Sequence, residues 1–206
     1  MKFFLNTVYI EEVRKIKELQ IIDGINTNLA GMEALGVKDI NQILTHYNAI
    51  CQTFNKTVLV DVKAKDYSSI LREVDILTSV NELITVKIPA NLDGIKAINT
   101  LANQKFDIVC SSIFSTSQAI LAAEAGALYI FIPMKKAMQF GIDTLHLLTQ
   151  IINIYNEQGY DTYIIADGIS SSIELTQMAL LGADGISCDI QTIYSFFQNN
   201  FSNNKM

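Results

Sequence analysis

Eight short runs of β-branched and apolar residues alternate with segments of helical period along this chain, and no stretch rich in Pro, Gly or Ser breaks the alternation. The strand candidates are Lys2 to Leu5, Ile22 to Asn26, Thr57 to Lys63, Leu83 to Ile88, Phe106 to Ser111, Ala127 to Ile132, Thr162 to Ala166 and Gly185 to Cys188. One helical pattern follows each: Ile10 to Leu19, Asp39 to Phe54, Tyr67 to Thr78, Leu92 to Ala102, Ser117 to Ala125, Ile142 to Gln158, Ser172 to Leu181 and Ile190 to Asn199. Val58-Leu59-Val60 and Tyr129-Ile130-Phe131-Ile132 are apolar on both faces, as a parallel strand wrapped by helices must be. Eight such units close a single (β/α)8 barrel, an α/β fold that 206 residues suffice to build. An open doubly wound sheet would carry a Gly-rich first turn, whereas this first turn reads Asn6-Thr7-Val8-Tyr9. The barrel is expected over residues 1–198, with the Asn-rich residues 199–206 as a disordered tail.

Half the residues are hydrophobic and 17% are charged, which supplies a core and excludes a disordered or collagen-like chain. A net charge of -6 gives no basic field, so no nucleic-acid partner is expected, although a small anion could bind locally. Mean hydropathy is +0.26, yet no apolar run approaches the roughly 20 residues of a spanning helix, so no membrane association is expected. Met1-Lys2-Phe3-Phe4-Leu5 opens like a secretion signal, but Asn6, Glu11, Glu12 and Arg14 interrupt it, and a cytoplasmic protein is expected. Cys51, Cys110 and Cys188 are widely spaced, and His46 and His146 lie far apart. Neither a disulfide framework nor a metal site is indicated.

Catalytic groups of such barrels sit at the C-terminal ends of the strands. Those ends offer Asn6, then Asn26 and Asn28, Asp61 and Lys63, Lys87, Ser111 and Ser112, Lys135 and Lys136, Asp167, and Asp189. Lys87 stands apart, because Leu83-Ile84-Thr85-Val86 precedes it and Ile88-Pro89 follows, which places an amine within an apolar strand. Desolvation favours the neutral form of an amine, the form that attacks a carbonyl to make a Schiff base. A lysine snorkelling from the barrel mouth, or one paired with Asp61, satisfies the same pattern.

Several motifs together resemble the small transaldolase family, which includes fructose-6-phosphate aldolase. They are Phe3-Phe4-Leu5-Asn6-Thr7, Asp23-Gly24-Ile25-Asn26-Thr27-Asn28, Val86-Lys87-Ile88-Pro89, and the run from Ile113 through Ser115-Thr116-Ser117-Gln118-Ala119 to Ala125-Gly126-Ala127. The resemblance spans residues 1 to about 195 and implies a class I aldolase that cleaves or transfers a dihydroxyacetone-type unit of a ketose or sugar phosphate, with Lys87 as the Schiff-base nucleophile. It also implies proton handling by Asp61 on the third strand and Ser111 on the fifth. Asn6, Asn28, Lys136 and Asp167 fall at substrate-binding positions. No cofactor or metal is implied, since the iminium itself is the electron sink.

The departures from the family pattern concern protons and phosphate. Asn6 stands where the family carries an acidic residue, and an amide cannot act as general acid or base. If proton transfer is limited by that loss, Asn6→Asp is expected to raise activity. Pro133 or Met134 falls where the family has a tyrosine. Lys136 replaces an arginine in what reads as a loop with Lys135, and Asp167-Gly168-Ile169 replaces a serine and a basic residue, so a phosphate meets a lysine and a carboxylate. The family's last helix, which packs on a neighbouring subunit, has no counterpart before Met206. That puts oligomers built through it in doubt while leaving a homo-oligomer through other contacts open. Phe196-Phe197 is expected to cover the barrel wall. Two further readings remain: a catalytically silent relative with a binding or structural role, and a metal-assisted enzyme using Asp61-Val62-Lys63-Ala64-Lys65-Asp66 as a D-x-K-x-x-D motif. In that second reading Asp66 is equally a helix N-cap.

Overall fold

The computed structural model describes residues 1–198; the tail expected over 199–206 lies outside the described residues. Strands β1 (Lys2–Asn6), β2 (Gly24–Asn26), β3 (Thr57–Asp61), β4 (Ile84–Pro89), β5 (Ile108–Ser111), β6 (Tyr129–Pro133), β7 (Tyr163–Asp167) and β8 (Gly185–Cys188) pair in parallel in chain order, and β8 closes on β1. Around this barrel lie α1 (Ile10–Lys17), α2 (Leu29–Ala34), α3 (Ile40–Phe54), α4 (Tyr67–Val80), α5 (Leu92–Asn103), α6 (Thr116–Glu124), α7 (Met134–Gln139), α8 (Thr144–Gln158), α9 (Ser172–Leu181) and α10 (Ile190–Ser195). Two of these, α2 and α7, correct the expectation of one helix per strand. Each has six residues, too few to display a 3.6-residue period. The Lys135-Lys136 segment is therefore part of a helix rather than a loop.

The helices begin where the sequence offers a short polar side chain. Asp39, Asp66, Asn91, Ser115, Asp143, Ser171 and Asp189 each accept a hydrogen bond from a backbone N–H in the first turn of the helix that follows. Loops after the odd strands are further held by a side chain from the next helix. Glu12 accepts from Thr7 Oγ1. Glu73 accepts from the backbone N–H of Lys63 at 3.0 Å and of Ala64 at 2.7 Å. Gln118 accepts from Phe114 at 2.8 Å, and Glu174 from Ser170 at 2.7 Å. Four of the loops at the C-terminal ends of the strands are thus tied to the scaffold.

Two apolar clusters are separated by the barrel wall. The larger joins the outward strand residues to the helices, with Phe196 packed against it. Phe197 is 58% exposed, so only the first of the two phenylalanines covers the wall as expected. The smaller cluster, Phe4, Leu59, Val109 and Phe131 with Ile165, fills the inside of the barrel. Side chains on a strand alternate with period two, so the next inward residues on these strands are Asn6, Asp61, Ser111, Pro133 and Asp167. The inner apolar layer is the floor on which the polar layer stands.

Glycines make that floor fit. A Cβ on Gly24 would come within 2.8 Å of the Phe4 ring, and one on Gly185 within 2.7 Å of the Lys2 carbonyl oxygen and 2.8 Å of Ile165 Cδ1. Gly185→Ala is therefore expected to lower stability by about 1–3 kcal/mol through overpacking. Chemical denaturation checks this, and an unchanged midpoint would show that the inner layer has slack.

Candidate active site

Lys87 is 6% exposed, and its Nζ meets three acceptors: Asn26 Oδ1 at 2.6 Å, the Thr27 carbonyl oxygen at 2.7 Å and Asp61 Oδ1 at 3.1 Å. Three acceptors match the three N–H donors of an ammonium. Strand register creates the pairing, because Asp61 and Lys87 are direct partners on β3 and β4. The Asp61 side chain keeps 26% exposure, so the pair borders solvent rather than being sealed from it.

A second set of contacts extends from Asn26 across the barrel. Asn26 Nδ2 donates to Asn6 Oδ1 at 2.8 Å, with Ser187 Oγ at 3.2 Å and Asp167 Oδ1 at 3.5 Å also in reach. Asn6 Nδ2 donates to Asp167 Oδ1 at 3.1 Å. Ser187 Oγ donates to Asn6 Oδ1 in a short contact. Six of the eight strand ends therefore contribute polar groups, from Lys87 to Ser187, of which only those of Lys87, Asp61 and Asp167 are ionisable.

The structure brings together Lys87, Asp61, Asn6 and Asp167, as the sequence leads one to expect. Ser111 lies at the inward end of β5, opposite Pro89 in register, and its hydroxyl makes no hydrogen bond among the described residues. Asn28 is exposed, and its Oδ1 caps α2 by accepting from Gly31 N–H at 2.7 Å. Lys136 is exposed on α7, with its Nζ 6.0 Å from the centre of the Phe114 ring. It is Lys135 whose stem lies against Gly168, next to Asp167. The sequence places Asn26 at a strand end and Thr27 in a motif without assigning either a role, and it does not single out Ser187. Inward parity two residues above Gly24 and Gly185 is the signal that finds Asn26 and Ser187.

Nothing in the sequence singles out Tyr47 on α3 either. Its hydroxyl is buried without a hydrogen-bond partner among the described residues, and burial pushes it up to about 12, with the charges of Asp61 and Glu73 adding to the effect. The D-x-K-x-x-D residues diverge. Asp61 faces the mouth, Lys63 is exposed, and Asp66 is exposed and caps α4, its carboxyl held low by hydrogen bonds from Ser69 and Ser68. Among the described residues no group of three or more His, Cys, Asp and Glu could hold a metal ion. On the same face, a cavity of about 290 Å³ lies outside the strands between α7, the start of α8 and α9, lined by Met134, Lys135, Ile169, Glu174 and Met178 among others.

The three thiols are poor nucleophiles. Burial pushes Cys51 up to about 11, and Cys110 and Cys188 up to about 12. The folded protein is expected to leave all three unmodified by an aromatic disulfide reagent at pH 8 and to yield all three on unfolding. A fast-reacting thiol in the folded state would contradict this burial. The 3.1 Å contact between Asn6 and Asp167 also changes the expectation for Asn6→Asp. The new carboxylate would face an existing one, and like charges that close resist joint ionisation. The variant is expected to be destabilised at neutral pH, and the loss should shrink as the pH falls and one of the pair takes up a proton. Urea titrations at pH 7 and pH 5 measure it; equal losses at both would refute the charge origin.

Comparison with known proteins agrees with this architecture. The profile of the Transaldolase/Fructose-6-phosphate aldolase family matches residues 3–206. A probable transaldolase of Cytophaga hutchinsonii is 35% identical over 193 residues, covering 94% of this chain and 88% of the relative. One of Phocaeicola vulgatus is 34% identical over the same shares, and one of a Chelativorans species is 35% identical over 89% of this chain and 83% of its own. With a closed eight-stranded parallel barrel and a match over nearly its whole length, this chain belongs to the transaldolase/fructose-6-phosphate aldolase family.

Proposed function

We propose that the protein is a Schiff-base carbon–carbon lyase or transferase acting on a ketose or sugar phosphate, with Lys87 as the nucleophile. The supporting observation is a buried lysine at the inward end of the fourth barrel strand, 3.1 Å from a carboxylate able to take its proton. Asp61 accepts the proton from Nζ, and the neutral amine adds to the C2 carbonyl. Asp61 then returns a proton to the carbinolamine oxygen, which leaves as water and gives the iminium. A carboxylate at the mouth takes the proton of the C4 hydroxyl, and the C3–C4 bond breaks. Its electron pair passes into the enamine as the aldehyde forms. Protonation at C3 and hydrolysis release the donor fragment, or a second aldehyde takes it up.

Ser111, with its uncommitted hydroxyl, holds the water or substrate oxygen beside the nitrogen. Asn6, Asn28 and Asp167 bind hydroxyl groups, and Lys136 offers the positive charge for a distal anion. The lysine lacks the two-pronged geometry of an arginine, so a phosphate adds less affinity here than a fork would supply. Three free, buried thiols fit a reducing, cytoplasmic setting. Among the described residues no helix is long and apolar enough to cross a membrane.

One observation favours the second reading, a catalytically silent relative: the acceptors around Nζ fully satisfy an ammonium, as a structural lysine requires. Borohydride trapping separates the two. Dihydroxyacetone and a panel of free and phosphorylated ketoses are incubated with the protein and reduced, then located by intact mass and peptide mapping. We expect a ligand-sized increase on Lys87 that is absent from Lys87→Met. A folded protein that traps none of them would favour the silent relative.

A further inference from the structure

Two carboxylates face the barrel mouth, and they are held at different depths. Asp61 is the direct ion-pair partner of Lys87. Asp167 stands one amide group further away: Asn26 Oδ1 is 2.6 Å from Nζ, while Nδ2 of the same amide is 3.5 Å from Asp167 Oδ1. Both hydrogen bonds to Asp167 come to Oδ1, from Asn6 and Asn26. Among the described residues its Oδ2 has no partner, and the residue is neither fully buried nor exposed. A carboxylate with one oxygen fixed by two amides and the other open has the form of a positioned base.

The depth matters because a ketose bound as an iminium presents its oxygens at different distances from Nζ. The C2 oxygen leaves from the shell next to the nitrogen, which Asp61 occupies. The C4 hydroxyl lies four bonds of about 1.5 Å or less from Nζ, so a base for it must stand beyond the first shell. From this geometry we infer that Asp167 is the catalytic base and acid for carbon–carbon cleavage. It takes the proton of the C4 hydroxyl as the C3–C4 bond breaks, and gives it back to C3 of the enamine. The proton count closes on Asp167 itself: one O–H bond breaks, one C–H bond forms, and the electron pair of the broken C–C bond passes through the enamine to the new C–H bond. No co-reactant is needed. Asn6, through its Nδ2, is the positioning residue that fixes Oδ1 and leaves Oδ2 for the substrate.

This inference rests on the Schiff-base reading, and the test separates the two. The wild type, Asp167→Asn and the exchange variant Asn6→Asp/Asp167→Asn are compared in two assays. One is borohydride trapping with dihydroxyacetone, which reports imine formation. The other is exchange of the dihydroxyacetone methylene protons with deuterated water, followed by NMR, which reports proton transfer at the enamine carbon. Asp167→Asn is expected to trap within about twofold of the wild type and to lose exchange by about 100-fold or more. The exchange variant moves the carboxylate to the other end of the same 3.1 Å hydrogen bond and is expected to recover at least about tenfold of that loss, which a purely structural role for Asp167 would not produce. Trapping and exchange both at wild-type rates in Asp167→Asn would overturn the assignment while leaving the lysine chemistry intact. Trapping lost along with exchange in a folded variant would overturn it too, placing Asp167 in imine formation. A wild type that never traps would overturn both readings.

Discussion

Closure of β8 onto β1 is the constraint on which the site depends. Lys2, Phe3, Phe4 and Leu5 pair in register with Gly185, Ile186, Ser187 and Cys188, and that seam joins the first residues of the barrel to its last. The contacts of Asn6 with Asp167 and Ser187 span most of the chain and exist only because the seam is closed. An open sheet of the same strands would leave Lys87 with Asp61, its neighbour in register, and would carry β1 away from β7 and β8. The ion pair is thus a local product of β3 and β4, while the amide and carboxylate arrangement beside it is a product of the whole fold. Disturbance of the inner layer under Ser187 reaches Asn6 by the same route.

The energetics follow the same division. An uncompensated buried charge costs several kcal/mol, and removing one partner of a buried pair typically costs about 3–5 kcal/mol. Lys87 avoids that cost with three acceptors of different kinds: a carboxylate, a side-chain amide and a backbone carbonyl. The carbonyl is supplied by Thr27, whose own Oγ1 donates to the Leu59 carbonyl at 2.7 Å, so the segment after β2 is pinned to β3. The partly exposed Asp61 is the one acceptor that solvent or substrate can reach. The cradle holds Nζ on two fixed sides and opens to solvent on the third.

Much of this arrangement was legible in the sequence, for definite reasons. Apolar runs bounded by polar residues mark strand ends, and a lysine inside such a run is uncommon enough to single out Lys87. Asp61 followed from its place at the end of the third strand. Asn26 and Ser187 were not legible as partners, because a polar residue at a strand end reads equally well as the point where the chain meets water. Period-two parity counted from Gly24 and Gly185 turns both inward, and only the closed barrel brings them together. Helix phase separates Lys135 from Lys136: in α7 the stem of Lys135 takes the side facing Gly168, and a segment read as a loop carries no phase. Tyr47 sits on a helix whose apolar face reads as core, and nothing in its spacing distinguishes a hydroxyl under Thr27 from an ordinary packed ring.

The orientation of the amides is dictated by the charges at their two ends. Lys87 demands an acceptor, so Asn26 must turn its oxygen toward Nζ and its nitrogen away. That nitrogen then demands an acceptor, which Asn6 supplies, leaving the Asn6 nitrogen to face Asp167. A cation at one end and an anion at the other therefore align both dipoles in one direction, and a flip of either amide would set donor against donor. Such a chain is polarised as a unit in a low dielectric.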